Sequence, residues 1–307
     1  MVDVMNSKTE VSVVIPNFNC LQTLPRALES IRMQNVPVEI IVVDDGSNDG
    51  SRGWLAQQAD VKLLFTERAG VSKARNYGIE YCSNALVAFL DADDYWLENK
   101  LSQQIALHQK YPALVCSFTD YMHMTEEGQP IIGCFEYWPR FRKKLLSAES
   151  SFVFPFFMPL LYAENVVGTS TVMAKKQALS DVGGFDPHLK SASDWDLWLK
   201  LADRGEVGGL NSKLCHYISD RGDAISRDHD KRLNAMKLIL NKHRPKIRHY
   251  PIAILAGYLR WLTGKAEYNR LKKSYYVSAC QELVVFCLQP SSRRIKAVYR
   301  DILSIVL

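Results

Sequence analysis

At 307 residues the chain is long enough for one large domain or two smaller ones, and its 47% hydrophobic and 23% charged content is ordinary for a soluble globular protein, which argues against a disordered or fibrous chain. The seven Cys show no Cys-x-x-Cys and no paired spacing, so a reduced, cytosolic compartment is expected, with most thiols acting as small core residues. The start, "MVDVMNSKTE", has no apolar signal core, and no run of 18 apolar residues follows, so neither a secretory leader nor a transmembrane helix is expected.

In chain order, "VSVVIP" (11–16) reads as a buried strand stopped by proline, and "TLPRALESIRMQ" as a helix with Leu24, Ala27, Leu28 and Ile31 on one face. "VEIIVVDDGS" (38–47) is a second strand running into a turn, and "VKLLF" (61–65) a third. "GVSKARNYGIEYC" (70–82) reads as a helix with Ala74, Tyr77, Gly78 and Tyr81 inward. "ALVAFLDADD" is a fourth strand, and "ENKLSQQIALHQKYP" a helix that stops before Pro112. In the second half, "TSTVMAK" (169–175) reads as a strand, "DVGGFDPHL" as a tight loop and "SASDWDLWLKLADRG" as a helix. Strands with near-continuous Val, Ile and Leu between helices predict an α/β fold with a mostly parallel, Rossmann-like sheet covered on both faces.

Beyond about Lys242 the chain changes character. Residues 242–307 hold 13 Lys+Arg against 3 Asp+Glu, while the rest holds 25 against 30. The predicted division is therefore residues 1–241 and a basic helical extension over 242–307.

Ligands of parallel sheets bind beyond the carboxyl ends of the strands. Three such ends here carry polar clusters: "PNFN" (16–19), "DDGSNDG" (44–50) and "DADD" (91–94). A turn explains any one of them, but three together look like a site. Asp-x-Asp alone is weak, since the chain has three: Asp91/Asp93, Asp194/Asp196 and Asp228/Asp230. The last has no strand before it and reads as a solvated charge cluster. No Gly-x-Gly-x-x-Gly follows the first strand, which argues against an ordinary dinucleotide-binding domain.

"VSVVIPNFN", "IIVVDDGSNDGS", "GVSKARNYGI", "AFLDADDYW" and "SDWDLWLKLADRG", in that order, resemble a family 2 glycosyltransferase with the GT-A fold. The resemblance covers roughly residues 10 to 230. It implies transfer of a sugar from a nucleotide-diphosphate donor, usually UDP-linked, to an acceptor hydroxyl with inversion, in cell-surface polysaccharide or glycolipid assembly. A divalent cation, Mn²⁺ or Mg²⁺, would stabilise charge on the departing phosphate, and such hard ions prefer carboxylate oxygens. By the resemblance Asp93, last of Asp91-Ala92-Asp93, is the direct metal ligand. Asp91 would hold the ribose or a metal-bound water, and Asp94 would cap a helix over "YWLENK". Asp45 resembles the uracil-binding acid, whereas Asp44 would brace its own loop. Pro16, Asn17 and Phe18 would wall the nucleoside, Lys73 and Arg75 would offset diphosphate charge, and Asn76 would meet donor oxygens.

Asp194 matches the catalytic-base position, where the helix N-terminus would favour its ionised form. Ser193 stands where the family usually has Glu. Trp195 and Asp196 would border the acceptor, and Trp198 would be core. A third metal ligand is left open between His216 and His229. The basic tail suits docking on an anionic membrane carrying a lipid-linked acceptor, with a cytoplasmic enzyme peripheral on its inner face; no nucleic-acid partner is expected. Two other classes compete. A nucleotidyltransferase would carry a Gly-rich, Lys/Arg-containing loop after the first strand, and "PNFNCLQTLP" offers none. A non-catalytic sugar-nucleotide binder would not need Asp93 and Asp194 together.

Overall fold

The computed structural model describes residues 10–145, 150–219 and 228–306. The chain divides into two compact units: Met1–Leu189 with Ser193–Ala224, and Lys190–Ala192 with Ile225–Leu307.

The first unit is built on one sheet. Its strands are β1 (Val11–Asn17), β2 (Val38–Asp44), β3 (Val61–Phe65), β4 (Leu86–Phe89), β5 (Tyr95–Trp96), β6 (Leu114–Met124), β7 (Pro130–Gly133), β8 (Ser151–Phe154), β9 (Met173–Lys175) and β10 (Glu206–Ile218). Their order is β3-β2-β1-β4-β9-β6-β10-β5, with β7 on β6 and β8 on β10. β1, β2, β3 and β4 are mutually parallel, and β6 is parallel to β10. β9 runs antiparallel to both β4 and β6, so the two parallel groups share one direction. The carboxyl ends of β1, β2, β4, β6 and β10 therefore lie along one edge.

The strands form for the reason the sequence suggests. Val11, Val13, Val14 and Ile15 are all fully buried, as a central strand covered on both faces requires. Pro16 lies within β1 rather than ending it. Its missing N–H falls on the β4 side, where pairing has already stopped at Val14↔Phe89. The helix Leu24–Arg32 buries the predicted Leu24, Ala27, Leu28 and Ile31. The helix Val71–Glu80 is turned from its predicted face: Ala74, Arg75, Gly78 and Ile79 are buried, while Tyr81 is exposed against Tyr77. The rotation puts Arg75 inside, and it brings the helix so close to the sheet that a Cβ on Gly78 would meet Val14 Cγ1 at 2.5 Å. Thr169–Thr171, predicted as strand, is a 3₁₀ turn, leaving only Met173–Lys175 in the sheet. A second core is aromatic, with Phe135, Phe141, Phe152 and Phe157 all packed on Phe118 of β6.

The second unit is helical: His229–His243, Pro251–Leu271, Tyr275–Leu288 and Ser292–Val306. Asp228 caps the first of these, accepting from Lys231 N at 3.0 Å, and Asp230 accepts from the Tyr268 hydroxyl. Four of the seven Cys, at 82, 116, 134 and 215, are buried.

Candidate active site

Two carboxylate clusters line the shared edge. The first joins the ends of β1 and β2. Asp44 is fully buried and accepts from Arg52 Nε at 2.6 Å, Asn17 Nδ2 at 2.8 Å and Ser47 N at 3.1 Å. Burial alone would raise its pKa, but these donors outweigh it and hold the carboxyl below its ordinary range. Asp45 accepts from Ala69 N at 2.6 Å and from Thr66 Oγ1 and Gly70 N at 2.7 Å each. It therefore anchors loop 66–70 ahead of the helix Val71–Glu80, and three of its roughly four acceptor positions are used. Phe18 is 46% exposed with the Arg68 guanidinium 5.7 Å from its ring centre. Both Asn19 and Arg68, flanking this wall, have positive φ, 54° and 48°.

The second cluster follows β4. Asp91 receives Arg75 Nη2 at 2.5 Å, and its backbone N–H donates to Ser170 Oγ at 3.1 Å. The Ser170 hydroxyl in turn donates to Asp94 Oδ2 at 2.5 Å, and the Ile218 N–H donates to Asp94 Oδ1 at 3.0 Å. Asp94 is thus a tie between the acid loop, the 3₁₀ turn and β10. It caps no helix, because Tyr95–Trp96 form strand β5 and the following helix starts only at Lys100. Burial, then the charges of Asp93 and Asp91, push its carboxyl well above the usual range. Ala92 is buried beneath the loop, and the Asp93 carbonyl accepts from Arg26 Nη2 at 3.2 Å. Arg26 also lies 4.4 Å over the Tyr95 ring.

Asp194 joins this second cluster. It is the second residue of the helix Ser193–Ala202, is half-buried, and accepts from Thr169 Oγ1 at 3.1 Å. The Ser72 hydroxyl donates to Ser193 Oγ at 2.8 Å, tying the Arg75 helix to the Asp194 helix. Burial raises the Asp194 pKa, and Arg75 opposes the rise. The expected pull of the helix N-terminus toward the ionised form is therefore outweighed by desolvation. Tyr217, near the end of β10, feels all four acids: burial first, then Asp94, Asp91, Asp93 and Asp194, raise its phenol pKa.

Other predicted residues fall elsewhere. Lys73 is exposed. The Asn76 amide exchanges two 2.8 Å hydrogen bonds with the Phe185 backbone, bracing the glycine turn before it. Trp195 is 1% exposed, with its indole N–H on Leu161 O, and Asp196 is fully buried 3.7 Å from Lys200. Neither presents a surface to an acceptor, because the helix turns these positions into the core and leaves Asp194 at the edge. Trp198 packs on Phe89 and Phe185, as core. His216 pairs with Tyr95 across β10 and β5, its Nδ1 2.7 Å from the Tyr95 hydroxyl, which brings it beside the acid loop. Burial and Arg26 lower its pKa. His229 belongs to the second unit and stacks on Tyr268. Thr169, Ser170, Tyr217 and Arg26 are the residues the sequence reading missed.

Among the described residues no group of three His, Cys, Asp or Glu is placed to hold a metal ion. The chain offers two carboxylates two residues apart, one already paired with Arg75. That donor set does not fit a closed structural site, but it fits a hard ion that draws its remaining ligands from substrate phosphates and water.

The profile of Glycosyl transferase family 2 matches residues 12–162, a span that takes in Asp44, Asp45, Arg75 and Asp91–Asp94 and ends before Asp194. The chain belongs to that family. This glycosyltransferase is 28% identical over 219 residues to the putative teichuronic acid biosynthesis glycosyltransferase TuaG of Bacillus subtilis, covering 69% of the chain and 80% of TuaG. Over 104 residues, 33% of the chain and 41% of the relative, it is 38% identical to the Escherichia coli UDP-Glc:alpha-D-GlcNAc-diphosphoundecaprenol beta-1,3-glucosyltransferase WfgD. Other relatives are longer, and the chain spans less than half of their length. Among solved structures, S. aureus TarS 1-349 in complex with UDP-GlcNAc superposes with a TM-score of 0.65 at 17% identity, covering 95% of this chain and 79% of that one. A Pyrobaculum calidifontis mannosyltransferase in complex with GDP-Man and Mn²⁺ gives 0.57 at 18% identity, covering 98% and 86%. The fold is GT-A, a mostly parallel sheet with a helical C-terminal extension.

Proposed function

We propose that this glycosyltransferase moves a sugar, with inversion, from a UDP-linked donor to a hydroxyl of a lipid-linked glycan in cell-surface polysaccharide assembly. The observation that carries the reading is the meeting of Arg75, Asp91 and Asp194, from three separated segments, at one sheet edge. Exposed Phe18 with Arg68 beside it suits the nucleoside, and the one acceptor position left on Asp45 suits the imide N–H of uracil, whereas Asn17, buried and bonded to Asp44, braces the loop instead. The buried Arg75 Nε has no partner among the described residues, a donor that a diphosphate oxygen would satisfy. The relative WfgD, named for a diphosphoundecaprenol-linked acceptor, supports the acceptor class.

Asp93, with Asp91 beside it, would hold Mn²⁺ or Mg²⁺, which when bound supplies positive charge at the diphosphate. The chain's own groups do the rest. Arg75 neutralises Asp91 and lies close enough to Asp194 to lower its pKa. Asp194 takes the proton of the acceptor hydroxyl as its oxygen bonds to the anomeric carbon and the bond to the phosphate oxygen breaks. Asp94 fixes the loop through Ser170 and the Ile218 N–H. The acceptor's lipid would lie in an anionic membrane, at its inner face.

The nucleotidyltransferase reading lacks a basic, glycine-rich loop after β1, and a pure binder gives no use to Asp194. The test is nucleotide release from a panel of UDP- and GDP-sugars with Mn²⁺. Release from one UDP-sugar, stimulated by acceptor glycan, is expected, whereas pyrophosphate exchange or binding without release would overturn the reading.

A further inference from the structure

The last two helices of the second unit hide their acids and display their bases. The helices Tyr275–Leu288 and Ser292–Val306 carry two acids, Glu282 and Asp301, and four bases, Arg293, Arg294, Lys296 and Arg300. Glu282 is 3% exposed and Asp301 0%. Arg270, from the helix Pro251–Leu271, clamps both. Its Nε donates to Asp301 Oδ1 at 2.5 Å, and its Nη2 donates to Asp301 Oδ2 at 2.9 Å and Glu282 Oε1 at 3.4 Å. The Ser278 hydroxyl lies 2.6 Å from Asp301 Oδ2. This staple joins three helices and fixes the face each turns inward.

The outward faces follow from it. On the helix Tyr275–Leu288, exposed Val277, Cys280, Leu283, Val284 and Leu288 fall three and four residues apart, forming one stripe without a charge. On the helix Ser292–Val306, Ile295, Tyr299, Ile302 and Leu303 form a second exposed apolar stripe, and exposed Arg293, Lys296 and Arg300 run beside it. Glu267, on the helix Pro251–Leu271, is 3.8 Å from Arg293. So much clustered apolar surface is unfavourable against water and marks an interaction face.

Charge chooses the occupant. Apolar stripes flanked by cations, with no exposed acid on either helix, match an anionic bilayer: the aliphatic side chains reach the acyl boundary and the cations meet phosphate headgroups. A second copy fits worse, because a two-fold contact would set Arg293, Lys296 and Arg300 against their own kind. None of the described helices is long and apolar enough to cross a membrane. We infer that the outer faces of these two helices dock on the surface of a membrane rich in anionic lipid. The inference deepens the lipid-linked acceptor reading and rests on it for its purpose, but vesicle binding requires neither donor nor acceptor.

The test floats the full chain with vesicles of phosphatidylglycerol and phosphatidylcholine, or of phosphatidylcholine alone. Binding to the anionic vesicles at low salt, weakened by added salt, is expected. Lys296→Gln should lower partitioning about fivefold, at roughly one Lys contact's worth of attraction, and Leu283→Glu at least about tenfold. Both side chains are exposed, so melting temperature and nucleotide release should stay at the wild-type level. Equal binding to both vesicle types, no binding, or unchanged binding of both variants would overturn the inference. So would sedimentation showing a dimer that Leu283→Glu splits. Loss of nucleotide release by the wild-type chain would instead count against the transferase reading alone.

Discussion

The two carboxylate clusters at the sheet edge are built on opposite principles. Asp44 and Asp45 are held by donors from the chain: Arg52, Asn17 and Ser47 on one, Thr66, Ala69 and Gly70 on the other, with one acceptor position of Asp45 left over. Asp91, Asp93, Asp94 and Asp194 crowd one another, and Arg75 is the cation that meets Asp91 directly. The first arrangement spends its charge on shaping loops. The second stores unmet negative charge, which a cation or a proton can answer. Acids that shape and acids that act are thus told apart by their donors, although in sequence "DDG" and "DADD" look alike.

The strongest way to break this contrast is Asp194→Asn, which keeps size and hydrogen bonding but removes basicity. It should lower kcat at least about a hundredfold with donor affinity nearly unchanged. Because burial raises the Asp194 pKa, wild-type kcat should fall with decreasing pH at values above the usual carboxylate midpoint, and Asp194→Asn should lose that limb. Near-normal turnover in the folded variant would place the base elsewhere.

Asp44→Asn probes the shaping cluster. It should cost about 1 to 3 kcal/mol of stability while leaving kcat at saturating donor close to wild type. Since the folded-state pKa of Asp44 is depressed, its contribution is complete above the unfolded value near about 3.9 and is lost as pH falls through the lower folded value. Acidification should therefore destabilise wild type more than the variant, so that the stability gap between them, followed by circular dichroism, closes as pH falls below the unfolded value. An unchanged acid limb in the variant would refute the assignment.

How much of this was legible in sequence depended on distance along the chain. The β1, β2 and β4 strands announce themselves as near-continuous apolar runs, and the helix Leu24–Arg32 by its buried face. β6 and β10, the longest strands, do not. β6 mixes polar and apolar residues, and β10 breaks its register three times along "EVGGLNSKLCHYI". The roles of Ser170 and Tyr217 were invisible for a related reason. Ser170 reaches Asp94 across 76 positions and Ile218 reaches it across 124, a pairing no local pattern encodes. Arg75 was read as a diphosphate ligand on its charge alone, and only the turned helix reveals its pairing with Asp91.

Asp94→Asn should have the smallest effect. The folded chain already holds this carboxyl toward its protonated form, and Asn can still accept from Ile218 N–H and meet Ser170. Stability within about 1 kcal/mol of wild type is expected in thermal unfolding. A large loss would mean that Asp94 acts as an ionised member of the cluster.

The most direct measurement of the central claim is UDP affinity by calorimetry, with Mn²⁺ and with chelator, for wild type and Asp93→Asn. A cluster that stores charge for a cation predicts at least about tenfold tighter UDP binding with Mn²⁺ in wild type, and no difference between the two conditions in Asp93→Asn. Equal wild-type affinity with and without the ion would contradict it.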